Sequence, residues 1–398
     1  MPAPNRSNLL LMTHEFPPFP GGVARYCASL AAAARRAGHS VTVVAPEHRS
    51  QSTADCDTSG IEILRLPVDV FEMRELGVLQ RLVEPILRRQ RWDIVHLADW
   101  PMILAVRTPQ SEYARRIASL HGSDIAVLRH SWRARLAGAA RRMRGFERYV
   151  CNSRFTATLL ESAFPHIPRA AIAVAPLGVD ARWFEAPSPE ALQRLRQRIG
   201  WTADDRVVLT VARLDARKGH LQTIAALARL PEDLRRRTRY LCIGYAPDAL
   251  RAESLVRAAR EAGVGLIMTG ALPFAEVHAA YALADVFALT AEPTRDTVEG
   301  FGLVLLEAAA SGLPSVVTDV HAIPEVVIAG RTGWVCPPGD LQALADAFGA
   351  ALGTARSATL RAACVERARG FSWDACAALT YGPNAATNSR ACISGKNN

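Results

Sequence analysis

Short apolar, β-branched runs alternate with alanine- and leucine-rich stretches along nearly the whole chain. Strand-length runs bounded by turn residues, each followed by a helical period, are the βαβα signature of parallel sheets covered by helices. In the first half the pattern predicts strands at LLLMT (9–13), VTVVA (41–45), IEILRL (61–66), DIVHL (93–97), IASLH (117–121), ERYVC (147–151) and AIAVA (171–175). In the second it predicts VVLTVA (207–212), RYLCIG (239–244), GLIMTG (265–270), DVFALT (285–290), PSVVTD (314–319) and GWVCP (333–337). The expected class is α/β, with two Rossmann-like, doubly wound parallel sheets. Between them DARWFEAPSPEAL loses its periodicity at Pro187 and Pro189, which places a hinge near 181–190. The expected domains are 1–183 and 184–370, with 371–398 forming a short helix and a polar tail, YGPNAATNSRACISGKNN, without fixed structure.

Composition agrees with two packed cores. At 398 residues the chain exceeds what one core holds, and 49% hydrophobic against 21% charged residues is the balance of a globular protein. No apolar run reaches the ~18 residues that would span a bilayer. The start, MPAPNRSNLLLMTHEFPPFP, breaks at His14 and Glu15 before a secretory core can form, so the expected location is cytoplasmic. Eight cysteines are scattered without a CxxC pair, which reads as reduced thiols and no zinc site.

The formal charge of +9 is almost all arginine, with lysine only at 218 and 396. Its densest patch, WRARLAGAARRMRGFER (132–148), fits a solvated helix face or a peripheral contact with an anionic membrane. It lacks the interleaved aromatics that stack on bases, so nucleic acid is not an expected partner.

Ligands of doubly wound sheets bind beyond the carboxyl ends of the strands, and the cleft between two such sheets is the expected site. After DVFALT, Glu299 precedes Gly300-Phe301-Gly302, and LVLLEAAASG then reads as a helix from Leu303 that closes at Gly312 and carries Glu307. Glycines at a helix mouth let an anion approach free N–H groups. A carboxylate on such a helix can read the vicinal hydroxyls of a ribose. After VLTVA, Arg213 and Lys218 stand before Gly219 at a helix start, where two cations suit a diphosphate whose charge grows as it leaves. A compact ammonium in an arginine-dominated chain favours one specific contact. Gly21-Gly22 follows the first strand but falls short of GxGxxG, which disfavours a dinucleotide oxidoreductase. His121 ends the strand IASLH beside Gly122.

Together VEGFGLVLLEAAASGLPSVVTDVHAIPEVVIAGRTGWVCPPGD, the GGV loop, HGSD, VCNSRFTATLL, VAPLGVD and VARLDARKGH resemble the family-4 retaining glycosyltransferases of GT-B architecture, over about residues 8 to 375. Among them the chain looks most like bacterial phosphatidylinositol mannosyltransferase-like members, chiefly through DTVEGFG and the preceding loop. The resemblance implies that Glu307 binds ribose hydroxyls of a nucleotide sugar and that Glu299 contacts the transferred sugar. Gly300, Phe301, Gly302 and Leu303 would hold sugar and phosphate through their backbone. Arg213 and Lys218 would clamp the diphosphate, His121 would touch the donor sugar near the reacting carbon, Gly22 would lie against phosphate and acceptor, and Gly270 to Leu272 would face the base.

It further implies same-face transfer without cofactor or metal from a GDP- or UDP-linked sugar. The acceptor would be lipid-linked, a saccharide or another small molecule, and a peripheral contact through 132–148 would set the protein at the inner face of the cell membrane. In the family the FSW segment starts a helix that crosses back to the N-terminal domain; here FSWDACAALT soon meets YGPN. A shortened crossing helix motivates the alternative, a non-catalytic nucleotide-sugar-binding protein that cannot close its cleft.

Overall fold

A computed structural model describes residues 7–19, 21–48, 58–69, 71–107, 115–294, 298–354 and 357–383. The polar tail beyond 383, and Asp296 and Thr297 of the DTVEGFG motif, lie outside the described residues. The chain divides into two units, one of residues 1–177 with 373–398 and one of residues 178–372.

The first unit carries a seven-stranded sheet: β1 (Asn8–Met12), β2 (Ser40–Pro46), β3 (Glu62–Leu66), β4 (Ile94–Leu97), β5 (Arg115–Leu120), β6 (Arg148–Cys151) and β7 (Ile172–Val174). Its order is β3-β2-β1-β4-β5-β6-β7, parallel throughout. The second carries six: β8 (Arg206–Val211), β9 (Thr238–Ile243), β10 (Gly265–Met268), β11 (Val286–Leu289), β12 (Ser315–Thr318) and β13 (Gly333–Cys336). Their order is β10-β9-β8-β11-β12-β13, again parallel. Every strand read from the sequence is present. The central strands are apolar on both faces because helices cover both, and Leu9 to Met12, Val207 to Leu209 and Val286 to Leu289 are all buried.

Each sheet reverses its strand order once, between β1 and β4 and between β8 and β11. At such a point successive connections leave to opposite faces and open a crevice at the carboxyl ends. The division between units falls at Leu177–Gly178, a few residues before the expected boundary at 183. Trp183 explains the difference: it is buried in the second unit against Phe274, His278 and Tyr281. The expected hinge segment therefore packs as part of that unit, and Ser188 caps the helix Pro189–Ile199.

The final helix, Trp373–Tyr381, has nine residues and belongs to the first unit, where it packs on the helix Gly22–Arg36. A free helix this short is marginal in water, so its stability comes from that docking.

Candidate functional site

At the reversal between β8 and β11 the second unit brings Arg213, Asp215, Arg217, Lys218 and Glu299 together. After β8, Asp215 precedes a single 3-10 turn, Ala216–Lys218, and Gly219 takes a left-handed φ of 74° before the helix His220–Leu227. Only glycine fits there, since a Cβ would stand 1.7 Å from the Thr290 carbonyl oxygen at the end of β11. Thr290 Oγ1 donates to that glycine's carbonyl at 2.7 Å. The buried His220 fastens the other side: its Nε2–H donates to the Arg213 carbonyl at 3.2 Å, and Nδ1 accepts from Tyr240 at 2.8 Å. Burial holds its pKa down at about 4, so the ring stays neutral and keeps this bonding.

The loop so fixed points Lys218 at Glu299. Lys218 Nζ lies 2.6 Å from Glu299 Oε2, with side chains 12% and 14% exposed, and Arg217 follows at 3.7 Å. The Glu299 backbone is held as well, its N–H donating to His321 Nδ1 at 3.2 Å and its carbonyl accepting from the Ala322 N–H at 3.3 Å. His321 does this with a positive φ of 56°, a conformation non-glycine residues rarely adopt. Burial pushes the Glu299 carboxyl up, but Lys218, Arg217 and His321 outweigh it and hold it below its ordinary value. Arg213 stands apart from this pair; it is half exposed and faces Asp215 at 3.4 Å.

Beyond Glu299 the chain turns into the helix Leu303–Ala310, capped by Gly302 with φ 82°. Gly300 and Phe301 are buried, Phe301 edge-on to Phe371, and Leu303 opens the helix half-buried. Glu307 is 2% exposed and accepts a hydrogen bond from the Tyr281 hydroxyl at 3.0 Å. Gly270, with φ 70°, and Leu272 form the connection from β10 to the helix Phe274–Leu283, and no atom stands within 4 Å of a Cβ at Gly270.

The first unit places Gly22 and His121 at the carboxyl ends of its own strands. Gly22 opens its helix behind an extended Gly21, and a Cβ on it would meet nothing within 4 Å. The His121 N–H donates to both oxygens of Asp124 at 2.9 Å, and its Nε2–H donates to the Ala98 carbonyl at 2.9 Å, leaving Nδ1 to accept. At the reversal between β1 and β4, buried Asp99 accepts from Thr13 Oγ1, the His14 N–H and the Met102 N–H, with His14 Nδ1 at 3.0 Å. Burial pulls the His14 pKa down, but Asp99 and Glu15 raise it overall. A small pocket lined by His14, Pro46, Val68, Asp69, Phe71, Glu75 and Leu79 opens beside it.

Sequence reading missed Arg217, His321, Tyr281 and the His14–Asp99 pair. Arg217 was legible as the neighbour of Lys218; the others act through contacts from distant strands that no local pattern announces.

Glu299→Gln is expected to cost about 2 kcal/mol of stability at pH 7, because it strips the partly buried Lys218 ammonium of its anion. A depressed carboxyl pKa contributes stability above its unfolded value and loses it as pH falls through the folded one. The gap between wild type and Glu299→Gln should therefore be full at pH 7 and narrow as pH falls below the ordinary glutamate range. Urea unfolding at pH 7 and pH 3.5 checks both.

The sequence matches two family descriptions in succession: Glycosyltransferase Family 4 over residues 20–183 and Glycosyl transferases group 1 over residues 193–371. It is 34% identical to a GDP-mannose-dependent alpha-(1-6)-phosphatidylinositol monomannoside mannosyltransferase of Mycolicibacterium smegmatis, covering 88% of this chain and 90% of that one. Its fold is similar to that of a sucrose-phosphate synthase of Thermosynechococcus elongatus, with a TM-score of 0.75, 23% identity and coverage of 94% and 96%. It is likewise similar to Anabaena HepE in complex with UDP, with a TM-score of 0.70, 21% identity and coverage of 92% and 96%. With two parallel-sheet units, each matched by its own family description, the chain belongs to the family-4 retaining glycosyltransferases of GT-B fold.

Proposed function

We propose that the enzyme moves a hexose from a GDP- or UDP-linked donor to a lipid-linked saccharide, with retention at the anomeric carbon and without a metal ion. The observation that carries this reading is the Lys218–Glu299 pair beside the glycine-framed start of the Leu303–Ala310 helix. Lys218 and Arg213 neutralise the diphosphate as the glycosidic bond breaks, which is where a charge placed in advance accelerates most. Glu299 accepts from hydroxyls of the transferred sugar, and Glu307 from the ribose. The backbone of Gly300 to Leu303 receives the sugar and the phosphate side, aided by the helix dipole. Gly270 to Leu272 face the base, Gly22 leaves room for phosphate and acceptor, and His121 contacts the donor sugar. The departing diphosphate takes the acceptor proton, so no second carboxylate is required.

The Mycolicibacterium relative supports GDP-mannose as the first donor to try, and the Anabaena complex supports UDP-sugars as the second. The pocket beside His14 is the acceptor side of this reading, offering Phe71 and Leu79 to a sugar face and Asp69 to its hydroxyls.

The acceptor's lipid places the enzyme at a membrane surface. Among the described residues, no helix is long and apolar enough to cross a membrane. The helix Trp132–Leu136 instead presents Trp132 and Leu136, 63% and 79% exposed, one turn apart. Arg129, Arg133, Arg135, Arg141 and Arg144 are exposed around them, and the sequence holds no acid between Asp124 and Glu147. Apolar tips ringed by arginine match an anionic bilayer, where each cation contributes about 1 kcal/mol.

Lys218→Ala and Glu307→Ala are each expected to stay folded and lose transfer, Lys218→Ala by about 10²–10³-fold in kcat. Release of nucleoside diphosphate from GDP- and UDP-sugars, with thermal unfolding as the folding control, reads this out; wild-type turnover in either variant contradicts the reading. Co-sedimentation with phosphatidylglycerol vesicles should weaken several-fold in 0.5 M salt and in the double variant Trp132→Ser, Leu136→Ser. No sedimentation at low salt removes the membrane contact.

A further inference from the structure

The first unit contains a buried file of hydrogen bonds running from the final helix toward His121. Tyr381 Oη lies 2.9 Å from His96 Nδ1, His96 Nε2 lies 2.7 Å from Ser119 Oγ, and Ser119 Oγ lies 2.7 Å from Tyr26 Oη. The Tyr26 ring then meets the His121 imidazole edge-on, with centroids 4.7 Å apart at 72°. All four linking side chains are buried, His96 completely. Ser119 and His121 are two positions apart at the end of β5, so extended backbone sends their side chains to one face.

We propose that Tyr381, His96, Ser119 and Tyr26 are positioning residues that tie the seating of the final helix to the pose of His121. Burial presses the His96 pKa down to about 3, so the ring is neutral and carries a single proton. It accepts at one nitrogen only if it donates at the other, and losing either neighbour leaves a buried polar group unpaired. Tyr381 thus sets the bonding of His96, which sets Ser119 and Tyr26, and the Tyr26 ring is the wall against which His121 stands.

The far end of the file is fixed independently. Arg115 donates to the carbonyls of Tyr381 and Gly382 at 2.7 and 3.2 Å, and buried Arg148 to those of Leu379 and Thr380 at 2.8 and 2.9 Å. Two guanidinium groups thereby satisfy the last carbonyls of the helix and oppose the negative end of its dipole. The chain needs no longer helix for this purpose, since the register is set at Tyr381.

The role in turnover rests on the His121 assignment proposed above, whereas the coupling itself does not. Imidazole ¹⁵N–¹H correlations of the full-length protein, with His121 assigned through His121→Gln, read the coupling directly. Tyr381→Phe and Ser119→Ala are expected to shift the His121 signal and leave that of His220 in place. Leu379→Ala, an exposed position on the same helix, should shift neither. In turnover with the GDP- or UDP-sugar the wild type cleaves, Tyr381→Phe should lower kcat about tenfold and leave nucleoside diphosphate affinity within about twofold. An unmoved His121 signal in folded Tyr381→Phe and Ser119→Ala overturns the coupling whatever the substrate. A moved signal with wild-type kcat in both Tyr381→Phe and His121→Ala supports the coupling and instead overturns the role given to His121.

Discussion

The ion pair between Lys218 and Glu299 is the interaction around which the second unit is arranged. The two residues follow strands that are adjacent in the sheet but lie far apart in sequence, and a 2.6 Å contact requires both connections to be fixed. Gly219 allows one to press against Thr290, and His321, itself at a positive φ, holds the backbone of the other. The pair sets a cation against an anion at a point where an unpartnered charge would be costly. In the proposed reaction a diphosphate and a sugar hydroxyl each take over one half of it.

The first unit repeats the device with different chemistry. His14 and Asp99 also follow the two strands that flank a strand-order reversal, and they too pair at 3.0 Å. Topology accounts for the parallel: at a reversal two connections diverge, so side chains from both strands face a gap that neither loop fills. The two pairs differ in reach. A lysine offers a permanent charge on a flexible stem, whereas the histidine beside buried Asp99 is ionised according to pH.

The thirteen strands of the described residues were legible because buried parallel strands are short apolar runs between turn residues, and the second unit's two switch-point loops were legible because they carry glycine and charge, whereas the His14–Asp99 pair of the first was not. The unit boundary was less so: Pro187 and Pro189 read as a linker, yet Trp183 just before them is a core residue, and tertiary burial overrode the local pattern. The sequence reading assigned Arg213 and Lys218 together to one diphosphate, but the 3-10 turn directs Lys218 and Arg217 toward Glu299 while Arg213 faces Asp215. The final helix looked short beside the family's crossing helix, because FSWDACAALT soon meets YGPN. Its fastening by Arg115, Arg148 and His96 comes from β4, β5 and β6, and such long-range partners leave no mark in the segment itself.

The central claim is that the Lys218 end of this pair binds the diphosphate of a nucleotide sugar. The most direct measurement is calorimetric titration of wild type and Lys218→Ala with GDP and UDP in chelator-containing buffer. The account predicts that wild type binds one of them and that Lys218→Ala binds it at least about tenfold more weakly, a loss of about 1.4 kcal/mol. Equal affinity in the two proteins, or no binding of either nucleotide by wild type, would contradict it.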